Sequence, residues 1–270
     1  MIVAGLQIDI AWEHPAENYR RAAVLAARAV AGGARLVALP EMFATGFSMS
    51  AERMSAHADE TRGFMSELAS RTGVWVIGGY AEPGDPLPRN ACALFDPDGR
   101  ERLRYHKIHP FSYSGEDERY AAGSALPTAD VDGVRVTAQI CYDLRFPEPF
   151  RAAAADTDLF VVIANWPTQR RAAWRTLLAA RANDAQAYVL GVNRVGEGDG
   201  LCYAGDTTLV SPLGDELAHI AEQPGVALGA VSTAEVAAVR DRLPFLADRR
   251  PDVYAALDAE RCATSKASRD

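Results

Sequence analysis

Short apolar runs alternate with stretches of helical period from the first residues onward, and that alternation constrains the fold more than any other feature of the chain. Ile2–Asp9 reads as a strand and Pro15–Gly32 as an alanine-rich helix ended by Gly32 and Gly33. Arg35–Leu39 is an apolar run too short for a helix and reads as a buried strand. Thr61–Thr72 has helical period and closes at Gly73, and Val74–Gly79 is again β-rich. Asn90–Phe95 and Glu101–Tyr105 flank the turn Asp96-Pro97-Asp98-Gly99 and read as a hairpin. A long polar loop then runs to about Gly123. Beyond it, strands at Val134–Ile140, Leu159–Ala164, Ala187–Asn193, Thr207–Ser211 and Gly225–Val231 are joined by helices at Pro149–Ala155 and Arg170–Gln186. A last helix starts near Thr233, with a Pro- and Arg-bearing tail from about residue 243. No repeat or flexible linker breaks the series. The pattern predicts a single α/β domain over residues 1–270, with helices covering a mixed sheet. The strand-rich regions on either side of the centre also suit two packed sheets.

Three of the strands stop on a reactive side chain. LVALPE ends on Glu41, RLRYHK on Lys107 and VTAQIC on Cys141. Rigid strands aim such groups, and the loops that follow give access to them. If the three strands are neighbours, the side chains converge on one reaction. A thiol must lose its proton to become a strong nucleophile. A carboxylate within reach takes that proton and later activates water. An ammonium, helped by the backbone N–H of Tyr142, stabilises the oxyanion of a tetrahedral intermediate. Such a set attacks an amide or nitrile carbon, passing through a thioester to an acid. Taken singly, each residue has a plainer reading: Cys141 as a small buried hydrophobe, Glu41 as a solvated loop acid, Lys107 as an exposed strand-end charge. Their flanks decide between the readings.

Composition narrows the partners. The formal net charge is −8, and the arginines are dispersed rather than gathered, so a nucleic-acid footprint is not expected. The start MIVAGLQIDI has no basic segment or long apolar core, so neither a secretory signal nor a membrane span is expected. The four cysteines (Cys92, Cys141, Cys202 and Cys262) form no CxxC pair and no zinc spacing. The expectation is a cytoplasmic protein with free thiols and no metal.

The flanking residues resemble the nitrilase superfamily of carbon–nitrogen hydrolases, in particular its ω-amidase-like branch. Leu39-Pro40-Glu41-Met42-Phe43 with Thr45-Gly46-Phe47 is similar to that family's glutamate motif. Tyr105-His106-Lys107-Ile108-His109 is similar to its lysine motif, and the run from Ile140 to Glu148 to its cysteine motif. Further matches are Ala164-Asn165-Trp166-Pro167, Trp174, Ala180-Arg181-Ala182, Gly191-Val192-Asn193-Arg194 and Tyr203-Ala204-Gly205-Asp206. Separate motifs agreeing in order make a specific signal. The resemblance implies a four-layer αββα sandwich with Glu41, Lys107 and Cys141 as catalytic residues. It also implies a second glutamate in the lysine loop. Counting back from Gly123 places it on Glu116, with Glu118 the competitor; its implied role is to hold Lys107 and the substrate nitrogen. Phe43, Tyr113, Arg145 and Trp166 are the pocket candidates, although Arg145 also has Glu148 and Asp143 within reach of a structural ion pair.

The resemblance further implies hydrolysis of a small linear amide, an ω-amide of a 2-oxo dicarboxylic acid such as 2-oxoglutaramate, with water and no cofactor. Alternatives are an N-carbamoyl or other aliphatic amide hydrolase, a nitrilase, and a non-catalytic thiol or redox protein on the same fold. A homodimer is implied, with contacts near Phe146–Ala155 and Arg170–Gln186. One departure falls there: where the family carries Ile-Glu-Asn-Gln, this chain has Asn183-Asp184-Ala185-Gln186.

Overall fold

The computed structural model describes residues 1–257 and 259; Cys262 and the end of the tail lie outside the described residues. The first half of the chain supplies β1 (Ile2–Gln7), α1 (Pro15–Ala31), β2 (Leu36–Ala38), α2 (Ala51–Ser55), α3 (Ala58–Thr72), β3 (Trp75–Glu82), β4 (Arg89–Phe95) and β5 (Glu101–His106). The second half supplies β6 (Thr128–Val131), β7 (Val134–Ile140), α4 (Pro147–Ala153), β8 (Leu159–Ala164), α5 (Arg171–Ala185), β9 (Tyr188–Asn193), β10 (Val195–Gly198), β11 (Leu201–Val210), β12 (Glu216–Ala221), β13 (Gly225–Ala230) and α6 (Thr233–Arg242).

These strands form two mixed sheets. The first has the order β13-β1-β2-β3-β4-β5, with β1, β2 and β3 parallel and the other pairs antiparallel. The second has the order β10-β11-β9-β8-β7-β6, with β12 added on β11 and β7, β8 and β9 parallel. Parallel strands need helical crossovers, and both faces of such a sheet must then be covered. The packing obeys this rule. Leu36, Ile77, Leu94, Val136, Ile140, Val161, Ile163 and Leu190 join the two sheets face to face. Ala22, Leu25, Ala29, Met65 and Leu68 seat α1 and α3 on the outer side of the first sheet. Phe150, Trp174, Leu178 and Ala182 seat α4 and α5 on the outer side of the second. The result is the αββα sandwich expected from the flanking motifs.

Where the structure departs from the sequence reading, short or edge elements are the cause. β6, β10 and β12 carry no clear strand signal in the sequence; β12 is an edge strand without a buried position, so apolar alternation has little to report there. α4 starts at Pro147 rather than Pro149, because either proline suits a first helical turn. The segment from Ala51 holds α2, and α3 begins three residues before Thr61. No helix among the described residues is long and apolar enough to cross a membrane.

The parallel strands carry the site. β2 and β7 are interior strands of their sheets, and both point their C-terminal ends to the same edge of the sandwich, where β5 also ends. Side chains that leave these ends meet between the sheets.

Candidate active site

Glu41 follows β2 by three residues, and its segment continues to bond with β3: Leu39 donates to Ile77 O and Phe43 to Gly79 O. A Cβ at Gly79 would lie 2.7 Å from Glu41 Cα, so only glycine lets β3 approach this closely. The Glu41 carboxylate is wholly buried. Its Oε1 accepts from Lys107 Nζ at 3.0 Å and from Asn90 Nδ2 at 2.8 Å. Its Oε2 accepts from the Asn165 backbone N–H at 2.8 Å.

Lys107 comes one residue after β5, and its backbone N–H donates to Asn90 O on β4 at 2.9 Å. The ammonium is buried and reaches Glu116 Oε2 at 2.8 Å as well as Glu41. Burial alone would push its proton off. The carboxylates of Glu116 and Glu41 outweigh that cost and hold it protonated, above the ordinary lysine range.

The choice between Glu116 and Glu118 is decided by Gly115. Its left-handed φ of 74° joins two single 3₁₀ turns, Ser112–Ser114 and Glu116–Glu118. The second turn sends Glu116 inward to full burial and leaves Asp117 and Glu118 exposed. Glu116 also accepts from the Phe111 N–H at 2.6 Å and from Asn90 Nδ2 at 2.8 Å. Burial raises its carboxyl above the usual range, and Lys107 pulls it back.

Cys141 stands at the C-terminal end of β7 and opens a 3₁₀ turn through Arg145. Its φ of 48° is left-handed, a conformation that costs a residue with a Cβ on the order of 1–3 kcal/mol. Asp143 compensates. This buried carboxylate accepts from the Ile140 N–H at 3.0 Å, Tyr105 Oη at 2.7 Å, the His109 N–H at 2.9 Å and His109 Nδ1 at 2.8 Å. It thereby ties the cysteine turn to the segment that carries Lys107. Arg181 on α5 holds the far end of the turn, donating to Leu144 O and Arg145 O. Burial and the Glu41 charge push the Cys141 thiol well above its ordinary range, while Lys107 and the Asn165 backbone act the other way. On balance burial favours the thiol form. Tyr142, second in the turn, precedes the first 3₁₀ bond, so its N–H has no helical partner.

The sulfur opens on a pocket of about 120 Å³. Phe47, Phe111, Tyr142, Trp166 and Tyr203 give it aromatic walls, and Arg145 and Arg170 are its cations. Each guanidinium lies over a ring: Arg145 over Trp166 at 4.9 Å and Arg170 over Phe111 at 5.1 Å. Neither forms an ion pair among the described residues. Arg145 therefore does not serve the structural pairing considered for it: Asp143 is filled by Tyr105 and His109, and Glu148 points to solvent.

Two pocket candidates are corrected. Phe43 is fully buried against Tyr19 and Phe64 in the outer core of the first sheet and does not line the pocket. The turn after Met42, itself left-handed, sends Phe47 to the pocket instead. Tyr113 is 87% exposed, packs on the outer side of Phe111 and is not a lining residue. Sequence reading also passed over three amides. Asn90 and Asn165 contact the carboxylates directly. Asn193 holds the wall: its Oδ1 accepts from the Trp166 N–H at 2.8 Å and its Nδ2 donates to Trp166 O at 3.0 Å. An amide carries no reactive signature; Asn165 and Asn193 were marked only by lying inside quoted motifs.

Known proteins resemble this chain in sequence and fold. The sequence model described as carbon–nitrogen hydrolase matches residues 2–241. An omega-amidase, YafV, from Yersinia enterocolitica is 38% identical over 215 residues, covering 79% of this chain and 83% of that one. A 2-oxoglutaramate amidase from Bacillus subtilis is 29% identical over 258 residues, covering 93% and 98%. Among solved structures, a CN-hydrolase superfamily protein from Xanthomonas campestris, with an arsenic adduct in its active site, superposes with a TM-score of 0.87. It is 34% identical, over 93% of this chain and 97% of that one. With its sandwich fold, its glutamate–lysine–cysteine cluster and a family match over most of its length, the chain belongs to the carbon–nitrogen hydrolases of the nitrilase superfamily.

Proposed function

We propose that this chain hydrolyses the ω-amide of a small 2-oxo dicarboxylic acid, of the 2-oxoglutaramate type, to the acid and ammonia. The observation that carries the reading is the pair of pocket guanidiniums, Arg145 and Arg170, free of ion pairs among the described residues and facing a single lining acid, Asp199, in a pocket with largely aromatic walls that reaches Cys141. They suit the carboxylate end of a short substrate whose amide reaches the sulfur. Curated relatives named omega-amidase and 2-oxoglutaramate amidase agree with this substrate class.

Glu41 takes the Cys141 proton as sulfur bonds to the amide carbon. Lys107 and the Tyr142 N–H hold the oxyanion, and Glu116 and Glu41 keep the ammonium in place. The carbon–nitrogen bond breaks as Glu41 returns the proton to the leaving nitrogen, giving ammonia and a thioester. Glu41 then deprotonates water, the water oxygen displaces sulfur, and Cys141 recovers its proton. The chain acts as one catalytic domain, in the cytoplasm, as a homodimer built through α4 and α5. α5 leaves Ala172, Arg175 and Thr176 exposed, a face of small and polar residues suited to close helix contact.

Ammonia release from 2-oxoglutaramate, glutamine, an N-carbamoyl amino acid and an aliphatic nitrile tests the reading. 2-Oxoglutaramate should give the highest kcat/KM; preference for the N-carbamoyl compound or the nitrile would overturn it. Cys141→Ala should abolish turnover, and wild-type protein with a slow amide should carry an acyl mass on the Cys141 peptide. Light scattering that finds only monomer would remove the homodimer.

A further inference from the structure

We propose that Asn90 is a positioning residue that clasps both catalytic carboxylates, fixing Glu41 and Glu116 around Lys107 as acceptors. This rests on the reading of Glu41 as base and Cys141 as nucleophile.

The geometry is specific. A carboxamide nitrogen has two hydrogens, and both are spent here: one on Glu41 Oε1 at 2.8 Å, one on Glu116 Oε1 at 2.8 Å. Lys107 spans the same two carboxylates from the other side, at 3.0 and 2.8 Å. The four groups form a closed ring that alternates donor and acceptor. Asn90 also accepts the Lys107 backbone N–H on its own carbonyl, so one residue sets the position of three members. The amide orientation is dictated chemically, because ionised carboxylates only accept, and an amide oxygen turned toward them would meet lone pairs. The price of this orientation is visible. Asn90 Oδ1 is buried with no hydrogen-bond partner.

Asn90 is buried and does not line the pocket, so it acts on substrate only through Glu41 and Glu116. Titratable neighbours of the ring are the Cys141 thiol, Tyr203, and Tyr120, whose hydroxyl donates to Ser48 O. None of these can replace a neutral donor shared by two acids. An aspartate at this position would set a third acid against the pair, whereas alanine would withdraw both donors and leave the carboxylates more basic.

The test follows the rate at which iodoacetamide alkylates Cys141, read peptide by peptide against pH, in wild type, Asn90→Ala and Asn90→Asp. The acid limb of the Cys141 rate should move to higher pH in Asn90→Ala by about one unit. In amide turnover kcat should fall by about a hundredfold with KM nearly unchanged. Asn90→Asp should be worse still. Asn90→Ser, which keeps one donor, should fall between Ala and wild type, and it reads the same shift if Asn90→Ala does not accumulate folded. Superimposable pH profiles with only a lower Tm would overturn the assignment. A wild-type Cys141 that reacts no faster than Cys202 would instead overturn the nucleophile reading, so the two failures are distinguishable.

Discussion

Asn165 grips Glu41 from the opposite sheet: its backbone N–H donates to Glu41 Oε2 at 2.8 Å, and its side-chain amide donates to Glu41 O at 2.6 Å and, at a long 3.5 Å, to Oε2. The residues are 124 positions apart, at the ends of β8 and β2. This link between the two sheets fixes the direction of the Glu41 carboxylate. Asn165→Ala keeps the backbone donor and loses the side-chain bonds, so kcat should fall about tenfold. Asn165→Asp places a carboxylate against the Glu41 carbonyl and should cost about a hundredfold or more. Steady-state kinetics on 2-oxoglutaramate check both, and equal losses in the two variants would contradict this account.

Lys107→Met leaves two buried carboxylates without their counter-charge. Breaking a buried pair in this way costs about 3–5 kcal/mol, to be read as a shift in the urea midpoint. The pH dependence has a definite sign. The folded chain holds the Lys107 ammonium above its ordinary value of 10.5. A group raised like this stabilises the fold fully below 10.5 and loses its contribution only as pH climbs through the higher, folded value. The stability gap between wild type and variant should therefore stay flat from neutral pH to about 10. A gap that closes across that range would show that the ammonium deprotonates early.

Arg145→Ala and Arg170→Ala should each raise KM for 2-oxoglutaramate by about tenfold or more, with kcat less affected, while a neutral short amide is hydrolysed nearly as before. Arg145→Lys should behave more like alanine than like arginine, because the planar guanidinium lies over Trp166 and an ammonium cannot pair with the ring and a bidentate carboxylate at once. Equal losses on charged and neutral amides would take the carboxylate away from these residues.

Gly79→Ala should damage both stability and rate. The new Cβ would meet Glu41 Cα at 2.7 Å and Met42 N at 2.8 Å, contacts with backbone that no rotamer relieves. Overpacking of this kind costs about 1–3 kcal/mol. The displaced Glu41 should lower kcat while binding of the product acid, which depends on the pocket walls, changes little. Thermal melts and product-inhibition constants measure the two effects separately.

The layers and the reactive trio were legible because they follow from strong local signals. Apolar runs bounded by turns gave β2, β7 and β8, and their ends carry Glu41, Cys141 and the Asn165 segment. Glu116 was legible only through a count from Gly123; the physical reason it turns inward while Glu118 does not is the left-handed Gly115, a property of backbone rather than of charge. Phe43 and Phe47 have the same chemistry, and only the turn after Met42 decides which faces substrate. The supporting amides were out of reach for a different reason. What Asn90 does depends on two carboxylates that meet it only in the folded sandwich, and Asn90 Nδ2 lies 26 residues from one and 49 from the other in sequence.

The ring around Lys107 has one more consequence. It contains two acids and a single ammonium, and the substrate presents it with an uncharged carboxamide. Hydrolysis puts a new anion there, beside Glu41 and Glu116, with the lysine charge already shared between them. In the proposed reaction the outer carboxylate, placed against Arg145 and Arg170, does not change. Turnover thus alters the electrostatics of one end of the pocket only, and the inner end repels the acid that the enzyme has just made. Product departure is built into the charge count of the site.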